Sequence, residues 1–528
     1  MLPWPKSLLT FSASLWTARM AARLRRDHAA AEQNRALKGL TAMLEKTAFW
    51  KRAGVEADMT YDVFRARVAP RGYDQIAPAV ERMTRGEADV LWPGRCAFFA
   101  ASAGTSGGAA KLLPVSEQML AHFRQAGLDA LLYYTARVGH AGVFRGRHLL
   151  LGGSTQLVPL GEGKGHEAYA GDLLGIATLN MPPWAEKRFY EPGAAVGHMT
   201  DWKAKIDAIV ARTSARDISL VAGIPNWVVM LADALREKNT RGKRRISNLQ
   251  GLWPNLECFI HGGVPLGPFH DQLRSAFGPE VKFHEVYAAP EGFFAAQDAA
   301  AGMGLRVMAD AGIFFEFVPM ADFDESRLEQ LGSKAVPLAD VKPAVDYALF
   351  VTTPGGLVRH LVGDVVRFTS TEPPRLVYVG RTTLRLNAFA EQVTEKDLTE
   401  AMLAVCHRHE WTIVNFHVAP LAATLLTGQN RGRHEWWIEL KPGTLVTPIS
   451  PQMAGELDTE LQRLNSTYAS RRNAGVIEPP TVRLVMPGVF EHWMRYQGKW
   501  GGQYRMPRCR SDRLVADELA QVTHFARD

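Results

Sequence analysis

Asp217–Ile224 (DISLVAGI), Leu256–Gly263 (LECFIHGG) and Val281–Ala289 (VKFHEVYAA) are three apolar runs of strand length. The segment between the first two favours helix from Asn226 to Leu235, entered through Pro225. Strand, helix and strand in alternation predict α/β layers, and connections long enough to cross over predict a largely parallel sheet. Outward from this centre, CAFFAAS (96–102), RHLLLGGS (147–154) and GIFFEFVP (312–319) extend the pattern, with a further helix predicted over Ser116–Tyr134. Near residues 345–381 the helices disappear. DYALFVTT, DVVRFTS and RLVYVGR follow at hairpin spacing, broken by Thr353, Pro354, Gly355 and Gly356, which predicts an antiparallel, barrel-like β unit.

After Arg381 the composition changes again. A helix is predicted over Glu395–His409, strands at WTIVNFHVA, HEWWIELK and TVRLVMP, and an amphipathic helix whose apolar positions are Met453, Leu457, Leu461, Leu464 and Tyr468. The expected fold is therefore α/β: a large N-terminal domain over residues 1–381, with layered sheets and the barrel-like unit, and a smaller C-terminal α+β domain over residues 382–528.

Composition excludes several classes. With 528 residues, 47% apolar and 22% charged, the chain is an ordinary globular mixture of more than one domain. Basic residues number 61 against 54 acidic, a net +7, too mild for a nucleic-acid footprint and compatible with an anionic substrate. The run Arg236–Arg245 (REKNTRGKRR) also holds an acid, Asn and Gly and reads as a solvated loop. Cys96, Cys258, Cys406 and Cys509 show no repeated close spacing, so neither a disulfide framework nor a zinc site is expected, and a reducing compartment fits. The opening MLPWPKSLLTFSASLWTARM soon meets Arg23, Arg25 and Arg26 and reads as an amphipathic helix rather than a signal peptide. A soluble, cytoplasmic protein is expected, with no membrane partner.

The strongest local signal is Ser102-Ala-Gly-Thr105-Ser106-Gly-Gly-Ala-Ala-Lys111, directly after an apolar strand. Its backbone N–H groups and hydroxyls suit phosphate oxygens, and Lys111 adds a positive charge; a turn of small residues is the plain alternative. Ala110 and Leu112 exclude a Walker loop. Gly104–Gly108 also matches G-x-S-x-G, with Ser106 as a serine-hydrolase nucleophile and His261-Gly262-Gly263 as an oxyanion segment, but the order of these elements is wrong for that fold. Tyr287-Ala-Ala-Pro290-Glu291-Gly292 closes a strand, where α/β sites form; Glu291 is either a Mg2+ ligand or an exposed loop acid. Gly363-Asp364 supplies an acid able to accept from two ribose hydroxyls, and Gly380-Arg381 places a cation beside the domain junction. Cys406, His407 and His409 do not share one helix face and read as a helix end.

These elements, in this order, resemble those of enzymes that adenylate carboxylates, and more narrowly the auxin-responsive Gretchen Hagen family of acyl acid amido synthetases, over about residues 30–510. The family's S-S-G-T-S-x-G-x-x-K is matched from Ser102 to Lys111 except at Ala103. Its Y-x-x-S-E-G is matched from Tyr287 to Gly292 except at Pro290. Its G-L-x-R-x-x-x-G-D runs from Gly356 to Asp364, and its Q-Y-K-x-P-R from Gln503 to Arg508, with Arg505 for Lys. Gly223-Ile-Pro-Asn-Trp227 and Phe314-Phe-Glu-Phe317 are also similar.

The resemblance implies a two-step ligase: a carboxylic acid and MgATP give an acyl-adenylate and pyrophosphate, then an amine, usually an amino acid, displaces AMP. By carry-over, Ser102, Thr105 and Ser106 contact phosphates, Gly262 and Gly263 line the adenine, Tyr287 packs on its ring and Glu291 binds Mg2+. Asp364 holds the ribose, and Arg381 sits at the pivot of a mobile C-terminal lid that brings Lys499 and Arg505. Phe123, Leu128, Leu132 and Tyr133, on one predicted helix, are expected to line part of the acyl pocket or to be core. Pro290 and Arg505 depart from the family pattern, and Leu361 stands where plant members often carry an Arg. Transfer to a thiol such as coenzyme A, or a nucleotide-binding module without turnover, are the alternative readings.

Overall fold

The computed structural model describes residues 6–26, 28–102, 111–152, 154–160, 166–240, 247–263, 266, 270–382, 385–386, 388–389, 391–422, 432–441, 450–497 and 506–525. Two units divide the chain: Met1–Val362 with Val366–Val377, and Gly363–Val365 with Tyr378–Asp528.

The first unit opens on two helices, α1 (Lys6–Leu24) and α2 (Ala29–Leu44). Gln33 of α2 is buried among apolar neighbours, so its amide must find partners. Its Nε2 donates to the carbonyls of Ala309 and Ile313, and its Oε1 accepts from the Phe315 N–H, all at 2.8 Å. That single side chain fixes α2 against the strand that begins at Phe314.

Strands β1 (Phe98–Ser102) and β2 (Lys111–Val115) form an antiparallel pair. β2 runs into α3 (Glu117–Val138). Ser116 caps α3 by accepting from the Met119 N–H and donates its own hydroxyl proton to the Pro354 carbonyl at 2.6 Å. The helix ends at Gly139, whose φ of 80° is the left-handed cap that glycine adopts without strain.

Then follow β3 (Arg147–Leu151), β4 (Val158–Leu160), β5 (Ala168–Gly171), β6 (Tyr190–Glu191), β7 (Ile218–Gly223), β8 (Cys258–Gly262) and β9 (Lys282–Ala289). Helices α4 (Trp202–Thr213), α5 (Pro225–Thr240) and α6 (His270–Phe277) alternate with the last of them. Leu149, Val221 and Phe259 from the strands bury completely against Ile209, Leu231, Leu273 and Phe277 of these helices, each large side chain contributing about 1.5–3 kcal/mol.

The sheet continues through β10 (Gly292–Ala296), β11 (Leu305–Val307), β12 (Phe314–Pro319), β13 (Val336–Pro337), β14 (Asp346–Thr352), β15 (His360–Thr371) and β16 (Pro374–Arg381). Its order is β13-β12-β14-β15-β16-β11-β10-β9-β8-β7-β3-β6. The expectation of a largely parallel sheet holds only for β6-β3-β7-β8-β9. The pairs β9/β10, β10/β11, β11/β16, β12/β14 and β12/β13 are antiparallel. The reason is chain length: only Pro290 and Glu291 separate β9 from β10, whereas a parallel crossover needs a dozen residues or more. The β unit expected over 345–381 forms and is continuous with the parallel strands. CAFFAAS lies elsewhere, in a four-stranded sheet of order β2-β1-β5-β4.

The second unit adds β17 (Arg385–Leu386), β18 (Val393–Thr394), α7 (Glu395–Arg408), β19 (Ile413–Ala422), β20 (Gly432–Leu440), α8 (Ser450–Leu464) and β21 (Thr481–Val485). β19-β20-β21 is a three-stranded sheet. Thr394 and Asp397 cap α7 reciprocally. Met453, Leu457 and Leu461 of α8 are fully buried with Trp436 and Ile438, as their helical spacing requires. No described helix is long and apolar enough to cross a membrane.

Candidate active site

Lys111 opens β2 directly opposite Ser102, the last residue of β1. The Ser/Thr/Gly loop is therefore anchored at both ends by an antiparallel ladder. Thr105 and Ser106 lie outside the described residues, and at Ser102 only the backbone is described. A nucleophile elbow requires a helix after the turn; the element after this loop is strand β2, so Ser106 has no such context.

The Lys111 side chain is exposed, and its ammonium lies 5.5 Å from the centroid of the Tyr73 ring. The Tyr73 hydroxyl in turn accepts from the Leu112 N–H at 3.0 Å. A cation over an exposed aromatic face gains only about 0.5–1 kcal/mol, so a multiply charged anion would draw Lys111 away. His360 is 3% exposed. Burial, and then the Lys111 ammonium, push its pKa down to about 3, which keeps it neutral and leaves Lys111 as the cation here.

The carboxyl ends of β7 and β8 finish in Gly223 and Gly262, beside β9. This edge of a parallel sheet is where α/β folds bind ligands. At Gly262 a Cβ would stand 2.4 Å from the Val286 carbonyl oxygen, so only glycine permits that approach. Gly263 has φ of 79°, a conformation that favours glycine. Tyr287 on β9 is buried, its ring edge-on to Phe294 with centroids 5.1 Å apart. Glu291, half-buried, lies in the two-residue turn between β9 and β10, where Ala289 pairs with Gly292.

His122 of α3, not singled out by the sequence, holds this turn. Its Nε2 accepts from the Phe293 N–H at 2.9 Å, and its Nδ1 faces the Ala311 carbonyl at 2.7 Å, so the neutral tautomer protonated on Nδ1 satisfies both contacts. Burial pushes its pKa down to about 4. The unit that begins at Lys111 and runs through β2 and α3 thus clamps the strand following Glu291. The available signal was a histidine at helical spacing from Met119 and Ala126, on the face turned to the core.

Asp364 and Arg381 belong to the second unit. They form an ion pair at 3.0 Å, with Asp364 buried and Arg381 half-buried. The Thr382 N–H donates to the Gly363 carbonyl at 2.8 Å. A Cβ on Gly363 would come 3.1 Å from a terminal nitrogen of Arg381, and its φ of 85° strains any other residue. Lys499 and Arg505 lie outside the described residues.

The sequence expectation for α3 is divided by the structure. Phe123 packs against the cluster of Ala100, Val115 and Met119, and Leu128 is exposed. Leu132 and Tyr133 are buried beside Ala13 and Met20 of α1. Positions nine and ten residues beyond Phe123 are about 15 Å further along a helix axis, so the two ends of α3 pack into different clusters. Cys406 is core, and His409 pairs with Glu456 at 2.8 Å. Among the described residues no group of three or more His, Cys, Asp or Glu is gathered to hold a metal ion.

Two further stretches that the sequence singled out meet elsewhere. Arg359, in the G-L-x-R motif, is wholly buried and binds Glu316, in Phe314–Phe317, through Nε and a terminal nitrogen at 2.7–3.0 Å. Its remaining donors reach the carbonyls of Arg65, Val68 and Gly332, and Tyr61 donates to Glu316 at 3.1 Å. This is a framework contact of the first unit. The signal was Glu316 itself, a carboxylate in an otherwise apolar strand that demands a buried cation.

Residues 23–282 match the GH3 family N-terminal domain, residues 306–381 the GH3 family central domain and residues 396–514 the GH3 family C-terminal domain. Indole-3-acetic acid-amido synthetase GH3.8 of Oryza sativa subsp. indica is 23% identical over 549 residues, covering 91% of this chain and 88% of its own. Indole-3-acetic acid-amido synthetase GH3.3 of Arabidopsis thaliana is 22% identical, covering 94% of this chain and 92% of its own. Among solved structures, the AtGH3.15 acyl acid amido synthetase in complex with 2,4-DB matches with a TM-score of 0.74 at 17% identity, over 96% of both chains. A 2-hydroxyisobutyryl-CoA ligase in the postadenylation state shares the fold with a TM-score of 0.58 at 13% identity, over 94% of this chain and 92% of that one. With three family domains in order along most of its length, the chain belongs to the GH3 family.

Proposed function

We propose that this chain is an ATP-dependent acyl acid amido synthetase, an AMP-forming ligase that joins a carboxylic acid to an amine, in keeping with an amino acid as acceptor. The observation that carries this reading is the family's three domains in order, with Lys111, Gly262, Tyr287, Glu291 and Asp364 present at strand ends or on strands. Residues 1–381 would be the adenylation domain and residues 382–528 a mobile domain.

In the first half-reaction a carboxylate oxygen attacks the α-phosphorus of ATP and the bond to pyrophosphate breaks. Two anions are brought together, so fixed cations and N–H donors must offset their repulsion. Lys111 and the loop from Ser102 through Thr105 and Ser106 are the proposed donors. Gly262 and Gly263 would pass close to the adenine, Tyr287 would flank it, and Asp364 would accept from the ribose hydroxyls. Glu291 would hold Mg2+, which supplies charge neutralisation to the phosphate oxygens when bound. A single carboxylate, with no ligand cage gathered among the described residues, fits an ion that takes its other ligands from phosphate and water.

In the second half-reaction the amine nitrogen attacks the acyl carbon, the bond to AMP breaks, and the nitrogen gives up a proton. Arg381 would mark the pivot between the two arrangements, with Lys499 and Arg505 brought from the mobile side. The Phe123 end of α3 is the part retained for the acyl pocket.

The test is pyrophosphate release across aryl and alkyl acids, with and without amino acids, and mass detection of the product. Acid-dependent pyrophosphate with an amide supports the reading. Pyrophosphate with a thioester from coenzyme A and no amide, or no ATP turnover with any acid, would overturn it.

A further inference from the structure

A cavity of about 350 Å³ opens where the end of α1, the start of α2 and residues 306–310 converge. That volume lies in the range of small-molecule sites. It shares no residue with the phosphate loop, with Gly262 and Gly263, or with the Glu291 turn, and it does not depend on the proposed amide-forming activity.

Its walls have two characters. Four guanidinium groups, Arg19, Arg23, Arg26 and Arg306, line it against two carboxylates, Glu32 and Asp310. Both carboxylates are already engaged: Arg23 Nε donates to Asp310 at 2.8 Å, and Glu32 pairs with Arg35. Arg306 is committed as well, donating to the carbonyls of Leu24 at 2.7 Å and Arg26 at 3.0 Å. Arg19 and Arg26 form no ion pair with a described residue, so two exposed positive charges are left over. The rest of the lining includes the apolar residues Leu24, Val307, Ala309 and Pro374.

Tyr133 adds an independent indication. Its side chain lines the cavity and is only 3% exposed, yet its hydroxyl makes no hydrogen bond with a described residue. A hydroxyl on the lining of a cavity, with no acceptor among the described residues, can donate to a ligand's acceptor atom.

We propose that this cavity binds a small amphiphilic carboxylate, with Arg19, Arg26 and the Tyr133 hydroxyl at its charged end and Leu24, Val307 and Ala309 around its apolar body. An inorganic anion would leave the apolar wall uncovered, and a neutral hydrocarbon would leave the two guanidinium groups and the hydroxyl without acceptors. A carboxylate on an aryl or alkyl body satisfies both halves.

The experiment is calorimetric titration of the full chain with 2-naphthoate, without ATP, so that turnover does not enter the measurement. Two variants address the cavity by different means. Arg19→Ala with Arg26→Ala removes the free cations, and Ala22→Trp fills the space from an exposed helix position while keeping every charge. Each is expected to remove one binding event or to raise its Kd about ten-fold or more, with the unfolding midpoint unchanged. No binding to the parent chain, or isotherms left unchanged by both variants, would overturn the proposal, whether or not the chain turns over ATP.

Discussion

Arg359 and Glu316 lie 2.7 Å apart with both side chains 1% exposed, and they join two stretches 43 residues apart in sequence. Removing one partner leaves a charge buried without compensation, which costs about 3–5 kcal/mol. Glu316→Ala is therefore expected to lower stability by that order in urea unfolding. Replacing both residues by apolar ones of similar volume is expected to cost much less. Equal losses in the single and double variants would contradict this account of the pair.

Lys111 is exposed and contributes little to packing. Lys111→Ala is expected to leave the unfolding midpoint almost unchanged while lowering acid-dependent ATP–pyrophosphate exchange about 10²–10³-fold, the order seen when one transition-state donor is removed. Exchange at the parent rate would remove Lys111 from the proposed chemistry.

Gly262→Ala places a methyl group 2.4 Å from the Val286 carbonyl. The strands β8 and β9 must shift to admit it, at a cost of about 1–3 kcal/mol. If this edge receives the adenine, the KM for ATP should rise more than the KM for the acid. Initial-rate measurements with each substrate varied in turn separate the two effects.

Burial depresses the pKa of His122 to about 4, below the ordinary value near 6.5. The unfolded chain then binds a proton that the folded chain refuses, so this contribution is complete above about pH 6.5 and is lost as pH falls toward 4. His122→Gln is expected to reduce the stability difference between pH 7 and pH 5 by about 2 kcal/mol. His284 and His360, pushed down to about 3, act in the same direction, so acid sensitivity should persist in the variant with a smaller slope.

Much of this architecture was legible in the residues because local periodicity dictates local structure. The spacing of Met453, Leu457 and Leu461 requires a helix with one buried face, and α8 buries all three completely. The runs at 217–224, 256–263 and 281–289 became β7, β8 and β9, adjacent and parallel as their helical connections require. What periodicity omits is the partner. CAFFAAS has the same apolar character as those runs yet pairs with β2 and β5 in a different sheet. Likewise Phe123, Leu132 and Tyr133 belong to one helix whose two ends pack into different clusters.

Side-chain type and near-neighbour spacing were enough for the identity of the elements, their order and the chemical character of the loop ending in Lys111. The folded packing is what brings Arg359 to Glu316, sets His122 against the strand after Glu291 and places Tyr133 on a cationic cavity beside α1. Such pairings join residues tens to hundreds of positions apart. The first two are selected by the requirement that each buried polar group find a partner once the chain has closed around it, and the third by the packing of α1 against α3, both conditions on the whole packed molecule.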